Sequence, residues 1–435
     1  MKKYFITTIV PGAKLNINFM DAVASYCKIN KAEVLFIPSA KTRKEDEVDE
    51  NHNWYGKLVE RNDHKLNNNL LLSLIPISPT QPDPIQGLER ISNKEHSVIY
   101  ASPKQRLKSV ASPSLVLPRV IMTPGACTNP YAKATRAGMI SNMDHVMGGI
   151  IVEVVSNTIY HFRQVQADRF GHFVDMGVKY LQKDRTVKMK TAAIIAGDWH
   201  SGYTDPVVRK ATVDMLGFFK PNDLILHDFF DGISVNHHID HKFILKAMMG
   251  EQNNLSSELQ MTAVELSVLA NKAKNIKIVK SNHDEFLDKW LEEGKYLEDT
   301  TNHIIGLELA LAKARGQDPL QYGLSKYQNF KNVTFLKTDE SYKLTPKGIE
   351  CGAHGHLGAN GARGSNSGME KAYTNSVTGH SHSPEIQRGA WTVGTSSYLK
   401  LNYNRGPSSW MQTHCIVYEN GSRQLINMIQ GKWHG

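Results

Sequence analysis

The second half of the chain alternates short apolar segments with amphipathic ones, and no other feature of the sequence restricts the fold as strongly. Three apolar segments have the length and composition of buried strands: 191–196, 223–226 and 276–279. Segments of helical spacing separate them, at 207–219, around 241–249 and at 255–274. Strands that alternate with helices predict βαβ units, in which reactive residues lie at the carboxyl ends of the strands.

Residue types that bind metal ions follow each of these predicted strands. The clusters are Gly197-Asp198-Trp199-His200, His227-Asp228-Phe229-Phe230-Asp231-Gly232 and Ser281-Asn282-His283-Asp284. Two more occur later, Gly352-Ala353-His354-Gly355-His356 and Gly379-His380-Ser381-His382. A single histidine is more often a core or surface residue than a ligand. Five clusters in order, three of them directly after strands, instead indicate a metal site.

The spacing and chemistry of these clusters favour a pair of metal ions. In an extended Asp-x-His or His-x-His, the side chains at i and i+2 point the same way, so both can reach one ion. Oxygen and imidazole ligands without thiolate suit Mn, Fe, Zn or Co. One bridging carboxylate with about six further ligands is enough for two ions roughly 3.5–4 Å apart, and such a pair suits in-line attack on phosphorus.

Composition excludes several classes of protein. Hydrophobic residues make up 40% and charged residues 21% of the 435 residues, as in a globular protein. No apolar run approaches the roughly 18 residues of a membrane helix, so we expect no membrane association. The apolar stretch 4–10 is too short for a secretion signal and no cleavage site follows it. The four cysteines form no CxxC pair, which argues against a disulfide scaffold or zinc knuckle and suits a reducing cytoplasm.

Residues 1–188 are predicted to form a separate α/β domain that serves substrate binding or assembly. Strands are expected at 4–10, 33–37, 97–100, 115–122, 149–155 and 159–165, with a helix at 19–27. We find no internal repeat, and the basic stretch 179–190 has the composition of a linker or edge. The catalytic domain is then expected to span 189–435.

The five motifs, in their order, resemble those of the calcineurin-like metallophosphoesterase superfamily: D-x-H, G-D-x-x-D, G-N-H-D/E, a histidine near G-H-x-H, and G-H-x-H itself. The resemblance covers residues 191 to about 400. It implies a four-layer αββα sandwich with a dinuclear site on the loops at the sheet edge. The expected fold class is therefore α/β, with this sandwich following an N-terminal α/β domain.

The resemblance also implies a role for each motif residue. One ion would be held by Asp198, His200 and His382, and the other by Asn282, His354 and His380, with Asp228 bridging the two. His283 would contact the phosphate and protonate the leaving oxygen, and Asp231 would orient it. Both ions would be divalent, with Mn²⁺ favoured and Fe, Zn or Co as alternatives.

Some positions depart from the family pattern or leave a choice open. His227 and Ser281 stand where the family has glycine. His354 and His356 both fit the fourth motif; we favour His354 as the ligand because a glycine follows it. His356 is then a substrate contact, together with Arg363 in the glycine-rich segment 352–368 and His237 after the second motif. A flexible loop and solvated histidines are equally compatible with these last two.

Three functions are compatible with this site. The net charge of +9 and the large N-terminal region favour a nuclease acting on DNA, although many soluble enzymes are mildly basic. More loosely, the chain resembles bacteriophage early DNases of this class, through the 4–8 strand, the Thr123-Pro124-Gly125-Ala126 turn and the HGH…NGARGS segment. The expected location is the cytoplasm, that of the host if a phage encodes the protein, and a homo-oligomer is possible in principle. The alternatives are a phosphatase or phosphodiesterase acting on nucleotides or other small phosphoesters, and a scaffold with a vestigial metal site.

Overall fold

A computed structural model describes residues 1–61, 64–91, 96–113, 119–236, 253–401 and 404–435. The chain is mixed α/β, as predicted. Its helices are α1 (Ile17–Asn30), α2 (Arg136–Met143), α3 (Pro206–Phe219), α4 (Leu255–Ala270), α5 (Asn282–Glu292), α6 (His303–Ala314), α7 (Pro319–Ser325) and α8 (Asn366–Tyr373). Its strands are β1 (Lys2–Ile9), β2 (Ala32–Pro38), β3 (Lys57–Leu58), β4 (His64–Asn67), β5 (Leu70–Ser73), β6 (Ser97–Tyr100), β7 (Gln105–Val110), β8 (Arg119–Pro124), β9 (Gly148–Val154), β10 (Tyr160–Gln166), β11 (Phe173–Asp175), β12 (Val178–Tyr180), β13 (Thr186–Lys188), β14 (Thr191–Ile195), β15 (Asp223–Leu226), β16 (Asn275–Ile278), β17 (Val333–Phe335), β18 (Lys343–Leu344), β19 (Ile349–Glu350), β20 (Ser376–Thr378), β21 (Glu385–Gln387), β22 (Ala390–Thr392), β23 (Thr413–Tyr418) and β24 (Arg423–Asn427).

These strands form three large sheets and a small one in the described part of the chain. The N-terminal sheet has the order β10-β9-β1-β2-β3, and the C-terminal sheet has the order β17-β16-β15-β14-β23-β24. The shared sheet, β18-β19-β20-β22-β21-β7-β8-β6-β5-β4, takes strands from both halves of the sequence. Strands β11 to β13 form the small sheet. The stretch 179–190, predicted as a linker or edge, therefore carries β13 and most of β12, because its alternating residues pair as a hairpin.

Alternation along the strands gives the C-terminal sheet two apolar faces. Ile194, Leu224 and Ile276 pack against helices α3 to α7 on one face. Ile195 and Ile225 point the other way and pack against Val377, Trp391 and other residues of the shared sheet. The N-terminal sheet uses this same core, through residues such as Ile6 and Ile150. Helix α1 and the small sheet cover its outer face. One apolar core thus joins all three large sheets.

The shared sheet has the same succession of parallel and antiparallel pairings from either edge to its middle. Both β18-β19-β20-β22-β21 and β4-β5-β6-β8-β7 show antiparallel, parallel, parallel and antiparallel pairing in turn. The two arms meet where β21 pairs with β7 in antiparallel fashion. Each arm faces a sheet in which parallel strands continue into an antiparallel pair, β1 to β3 with β9 and β10 in one half, and β14 to β17 with β23 and β24 in the other. The topology therefore repeats although the sequence shows no internal repeat.

Backbone hydrogen bonds at the strand ends align the two halves residue by residue. Cys127 N donates to Thr8 O and Asn16 N to Cys127 O; likewise, Ser396 N donates to Asp198 O and Asp205 N to Ser396 O. Thr8 thus stands where the C-terminal half has Asp198. The registers of β6 with β8 and of β20 with β22 make Ser102 and Lys104 the equivalents, in the N-terminal half, of His380 and His382. At these three positions the N-terminal half therefore lacks the metal-type residues of the C-terminal half.

Two sequence predictions fall on other parts of the chain. The helix expected around 241–249 lies outside the described residues. The division between 188 and 189 stays a prediction; it falls just before β14, the first strand of the second half. Among the helices that the structure describes, none combines the length and apolar character needed to cross a membrane.

Candidate metal centre

The predicted ligands meet where the C-terminal sheet and one arm of the shared sheet present the ends of their strands. Asp198 and Asp228 follow the adjacent parallel strands β14 and β15. Asn282 begins helix α5, just beyond β16. His354 follows β19, and His380 and His382 follow β20. Parallel strands place their carboxyl ends on one edge, so residues far apart in sequence reach a single site.

The first ligand group consists of Asp198, His200 and His382. His382 Nε2 lies 3.3 Å from Asp198 Oδ2 and 3.0 Å from His200 Nε2. The His200 and His382 rings meet edge to face, with centroids 4.9 Å apart. All three residues are buried. A carboxylate oxygen and two imidazole nitrogens therefore converge on one point.

The second ligand group consists of Asn282, His354 and His380. Asn282 Oδ1 lies 3.0 Å from His354 Nε2 and 3.1 Å from His380 Nδ1. Asp228 lies between the two groups, since its Oδ2 is 3.3 Å from His354 Nε2 and 3.7 Å from His200 Nε2. Asp228 therefore lies within reach of histidines from both groups.

The buried oxygens of this site lack the hydrogen bonds that burial normally demands. Within the described part of the chain, neither carboxylate oxygen of Asp198 has a hydrogen-bond partner, and Asp228 Oδ1 has none. Burial first, and then the charge of Asp228, raise the pKa of Asp198 well above its usual range. Burial would also raise the pKa of Asp228, but the surrounding histidines, His354 foremost, hold it well below that range. Two buried carboxylates with unsatisfied oxygens fit divalent cations.

Left-handed backbone occurs at four of the predicted ligands. The φ angles are 52° at His200, 45° at Asp228, 73° at His380 and 55° at His382. Residues with a side chain rarely adopt such angles, and they cluster at functional sites. Because neither His380 nor His382 is extended, the two point to different ligand groups, and the His-x-His spacing does not direct both to one ion.

His283 and Asp231 lie beside the ligands. His283 Nδ1 is 2.6 Å from the backbone oxygen of Asp231 and 3.8 Å from its Oδ1. The Asp231 carboxylate is 2.8 Å from His200 Nδ1. Asp231 therefore contacts His283 mainly through its backbone and His200 through its side chain. Burial would lower the pKa of His283, but Asp228 and Asp231 outweigh it and raise the pKa, which favours the protonated form.

The three predicted substrate contacts are placed differently. His356 lies next to the site: its ring is 5.3 Å from that of His354, and its Nε2 is 3.3 Å from Glu285 Oε1. Of the two histidines in the fourth motif, His354 is the one whose nitrogen reaches Asn282 and Asp228. Arg363 is exposed on the loop opposite Leu357, and no described hydrogen bond or ion pair links its side chain to the ligands. His237 lies outside the described residues.

Some residues at the site were not assigned a role from the sequence. His227 Nδ1 lies 3.4 Å from His354 Nδ1, on the side of that ring away from Asn282. The Trp410 ring packs 4.1 Å from that of His382. A Cβ at Gly379 would clash with the Asp198 carboxylate. His227 stood out in the sequence as a departure from the metallophosphoesterase pattern. Nothing in the local sequence marks Trp410, which lies just before the start of β23.

Comparison with known proteins finds one informative similarity. The chain is 28% identical to Protein A1 of Escherichia phage T5 over 465 aligned positions, which cover 99% of this chain and 83% of that protein. No protein-family model and no solved structure matches the chain. The chain is thus similar to a bacteriophage protein along its whole length. The name of that protein states no activity, so function must be argued from the site.

Proposed function

We propose that this protein is a phosphodiesterase that depends on two divalent metal ions and that DNA is its substrate. The observation that carries the proposal is the convergence of Asp198, His200, Asp228, Asn282, His354, His380 and His382 around buried oxygens without hydrogen bonds. The order of the motifs and the packing of helices outside two facing sheets support the metallophosphoesterase sandwich as the fold of this part. The choice of DNA as substrate is supported by the net charge of +9 and by the similarity to a bacteriophage protein.

The residues present suggest a division of labour. Asp198, His200 and His382 would hold one ion, Asn282, His354 and His380 the other, and Asp228 would contact both. When bound, such ions lower the pKa of a water molecule and neutralise phosphate oxygens. Mn²⁺ is favoured by the oxygen and imidazole donors, with Fe, Zn or Co as alternatives.

The chain supplies the proton for the leaving group. His283 is 16% exposed in its side chain, so it can meet a substrate, and its protonated form is favoured by Asp228 and Asp231. Asp231 O accepts from His283 Nδ1, which leaves Nε2 to donate to the leaving oxygen. His356 borders a cavity of about 160 Å³ beside the predicted ligands, which is lined by Lys280 and Lys337 together with the carboxylates of Glu285, Asp339, Glu340 and Glu350.

The experiment compares the purified protein with its Asp228→Asn variant on plasmid, linear duplex, single-stranded DNA and mononucleotides, each with Mn²⁺. We expect the wild type to cleave DNA and the variant to lose that cleavage, because the amide removes the charge shared by both ligand groups. Asp214→Asn, an exposed change on α3, is the matched control and should retain activity. Full activity of Asp228→Asn would refute the site. Turnover of mononucleotides or p-nitrophenyl esters alone would instead favour the small-molecule phosphoesterase.

A further inference from the structure

A second cavity, of about 240 Å³, lies between the two arms of the shared sheet. Lys104 and Arg106 line it from the N-terminal arm, Lys347 and Arg388 line it from the C-terminal arm, and Arg423 lines it from β24 of the C-terminal sheet. We call it the seam pocket. Its walls include Asn375 and Gly389, which precede β20 and β22, whereas the predicted metal ligands follow β20. The seam pocket is therefore at the opposite end of these strands from the candidate metal centre.

Three of the five cations in the seam pocket have carboxylate partners. Arg106 lies 3.0 Å from Asp83 and 3.3 Å from Glu385. Arg388 and Lys104 share Asp144, at 3.1 Å and 3.4 Å. These carboxylates therefore neutralise the charges of Lys104, Arg106 and Arg388.

Arg423 and Lys347 have no such partner among the described residues. Arg423 is 7% exposed; its Nη1 donates to the backbone oxygens of Ser376, at 3.0 Å, and Gly389, at 2.7 Å, and its Nη2 donates to Asn375 Oδ1 at 3.5 Å. Its guanidinium stacks over the Trp391 ring at 4.5 Å. The Lys347 side chain lies against Gly421, in the turn between β23 and β24 and two residues before Arg423.

The charge of Arg423 acts unfavourably on Lys347, and Asp168 offsets part of this effect. Loss of solvent first, and then the charge of Arg423, lower the pKa of Lys347. Burial lowers the pKa of Arg423 to about 10. Arg423 is buried whereas Lys347 is exposed, and a buried charge in a protein is normally paired. An anion bound in the cavity would remove this imbalance.

We propose that the seam pocket binds a phosphate group between Arg423 and Lys347. A guanidinium presents paired N–H donors that match phosphate oxygens, and the lysine adds a mobile point charge. The phosphate belongs either to a free phosphate or nucleoside monophosphate, or to the backbone of a nucleic acid strand. Since both arms line the pocket, the bound group would link the two halves of the chain. This proposal is independent of the activity of the metal centre.

The test measures binding by calorimetry in the presence of a chelator, so that phosphate bound through metal ions does not contribute. The probes are inorganic phosphate, a deoxynucleoside monophosphate and an oligonucleotide without terminal phosphates. The variants are Lys347→Met, Lys347→Arg and the control Lys343→Met, an exposed change four residues away. All keep Arg423, whose replacement would leave buried carbonyl groups unpaired and could prevent folding.

We expect at least one probe to bind the wild type and Lys343→Met with the same affinity. The same probe should bind Lys347→Met about tenfold more weakly, and Lys347→Arg should recover the wild-type affinity. Binding of the small probes identifies a free phosphate or mononucleotide as the ligand, and binding of the oligonucleotide alone identifies a strand backbone. If no probe binds the wild type, or if Lys347→Met binds as tightly as Lys343→Met, the proposal is wrong.

Discussion

Unusual backbone angles coincide with chemistry at the level of single residues. His200, Asp228, His380 and His382 all lie in the left-handed region, although each carries a side chain. Strain of about 1–3 kcal/mol per residue persists only where the surroundings enforce it. Here the enforcing contacts come from neighbouring strand ends, for example His200 N donating to Asp228 O at 2.7 Å. The turns that follow the strands thus position the predicted ligands, at some cost in stability.

Replacement of His283 by alanine should slow turnover without removing the metals. We expect a loss of about 10²–10⁴ in kcat, the usual contribution of a general acid. Metal content, measured by mass spectrometry, should equal that of the wild type and of His303→Ala, a remote histidine control. Because its pKa is raised, His283 should stay protonated above the usual range for histidine, so wild-type kcat should fall only at higher pH. This alkaline limb should vanish in His283→Ala; loss of both metals there would show instead that His283 is a ligand.

His227, one of the departures from the family pattern, offers a test of how His354 is held. Burial lowers the pKa of His227 to about 3, so its ring is neutral. One hydrogen bond can then form between His227 Nδ1 and His354 Nδ1. Groups that orient a metal-binding histidine typically contribute 10–100-fold to metal affinity. We therefore expect His227→Ala to weaken Mn²⁺ binding by about 10-fold or more in a titration followed by electron paramagnetic resonance. Unchanged affinity in this variant would mean that His354 needs no such support.

Helix α5 shows how one element controls the site. Ser281 caps it: Asp284 N lies 3.4 Å from the Ser281 hydroxyl, and Ser281 N donates to Asp284 Oδ2 at 2.9 Å. Asn282 and His283 are the first residues of that helix, so the cap fixes both. The serine in place of the family glycine is therefore explained by a capping box, which satisfies two backbone donors.

Ser281→Ala should lower the free energy of unfolding by about 1 kcal/mol, the usual cost of losing a cap. It should also weaken metal binding, because Asn282 would no longer be held at a fixed helix start. Thr135→Ala removes the cap of α2, away from the site, and serves as the control. Denaturant unfolding and Mn²⁺ titration should separate the two variants: both lose stability, but only Ser281→Ala loses affinity. Equal affinity in both would argue against a role for the cap in the site.

Local sequence patterns predicted strands well where the pairing partners of the strand are nearby in the sequence. The segment 223–226 coincides with β15, and 97–100 coincides with β6, because short β-branched runs flanked by polar residues have few other solutions. The stretch 179–190, predicted as a linker or edge, contains β13, the edge strand of the small sheet, and its charged residues hide the pairing of β12 with β13. Pairing in a small, half-exposed sheet leaves little hydrophobic signal.

The two halves of the molecule share one interior. Residues of the N-terminal sheet, the C-terminal sheet and both arms of the shared sheet pack in a single apolar core. Strand β21 pairs with β7, and β10 lies alongside β24. Neither half can keep these contacts alone, so the halves should unfold together.

Scanning calorimetry of the whole chain should accordingly show one cooperative transition. Residues 189–435 expressed alone should fail to reach a native circular dichroism spectrum, because the β21 edge and the face opposite Ile6 and Ile150 would be exposed. The full-length chain with Asp228→Asn is the control for loss of the metal site without loss of the shared core. Two resolved transitions, or a folded fragment that binds Mn²⁺, would contradict this expectation.

The sequence by itself determined the mixed α/β class, most strands near the site and the residue types that converge there, since these follow from periodicity and from side-chain chemistry within a few positions. Only the tertiary structure decided that His354, His380 and His382 approach the site from a different sheet than Asp198 and Asp228, and that the N-terminal half repeats the topology. These outcomes depend on strand pairings between residues more than a hundred positions apart, such as β7 with β21. Such pairings are selected by the packing of whole faces, which no short stretch of sequence encodes.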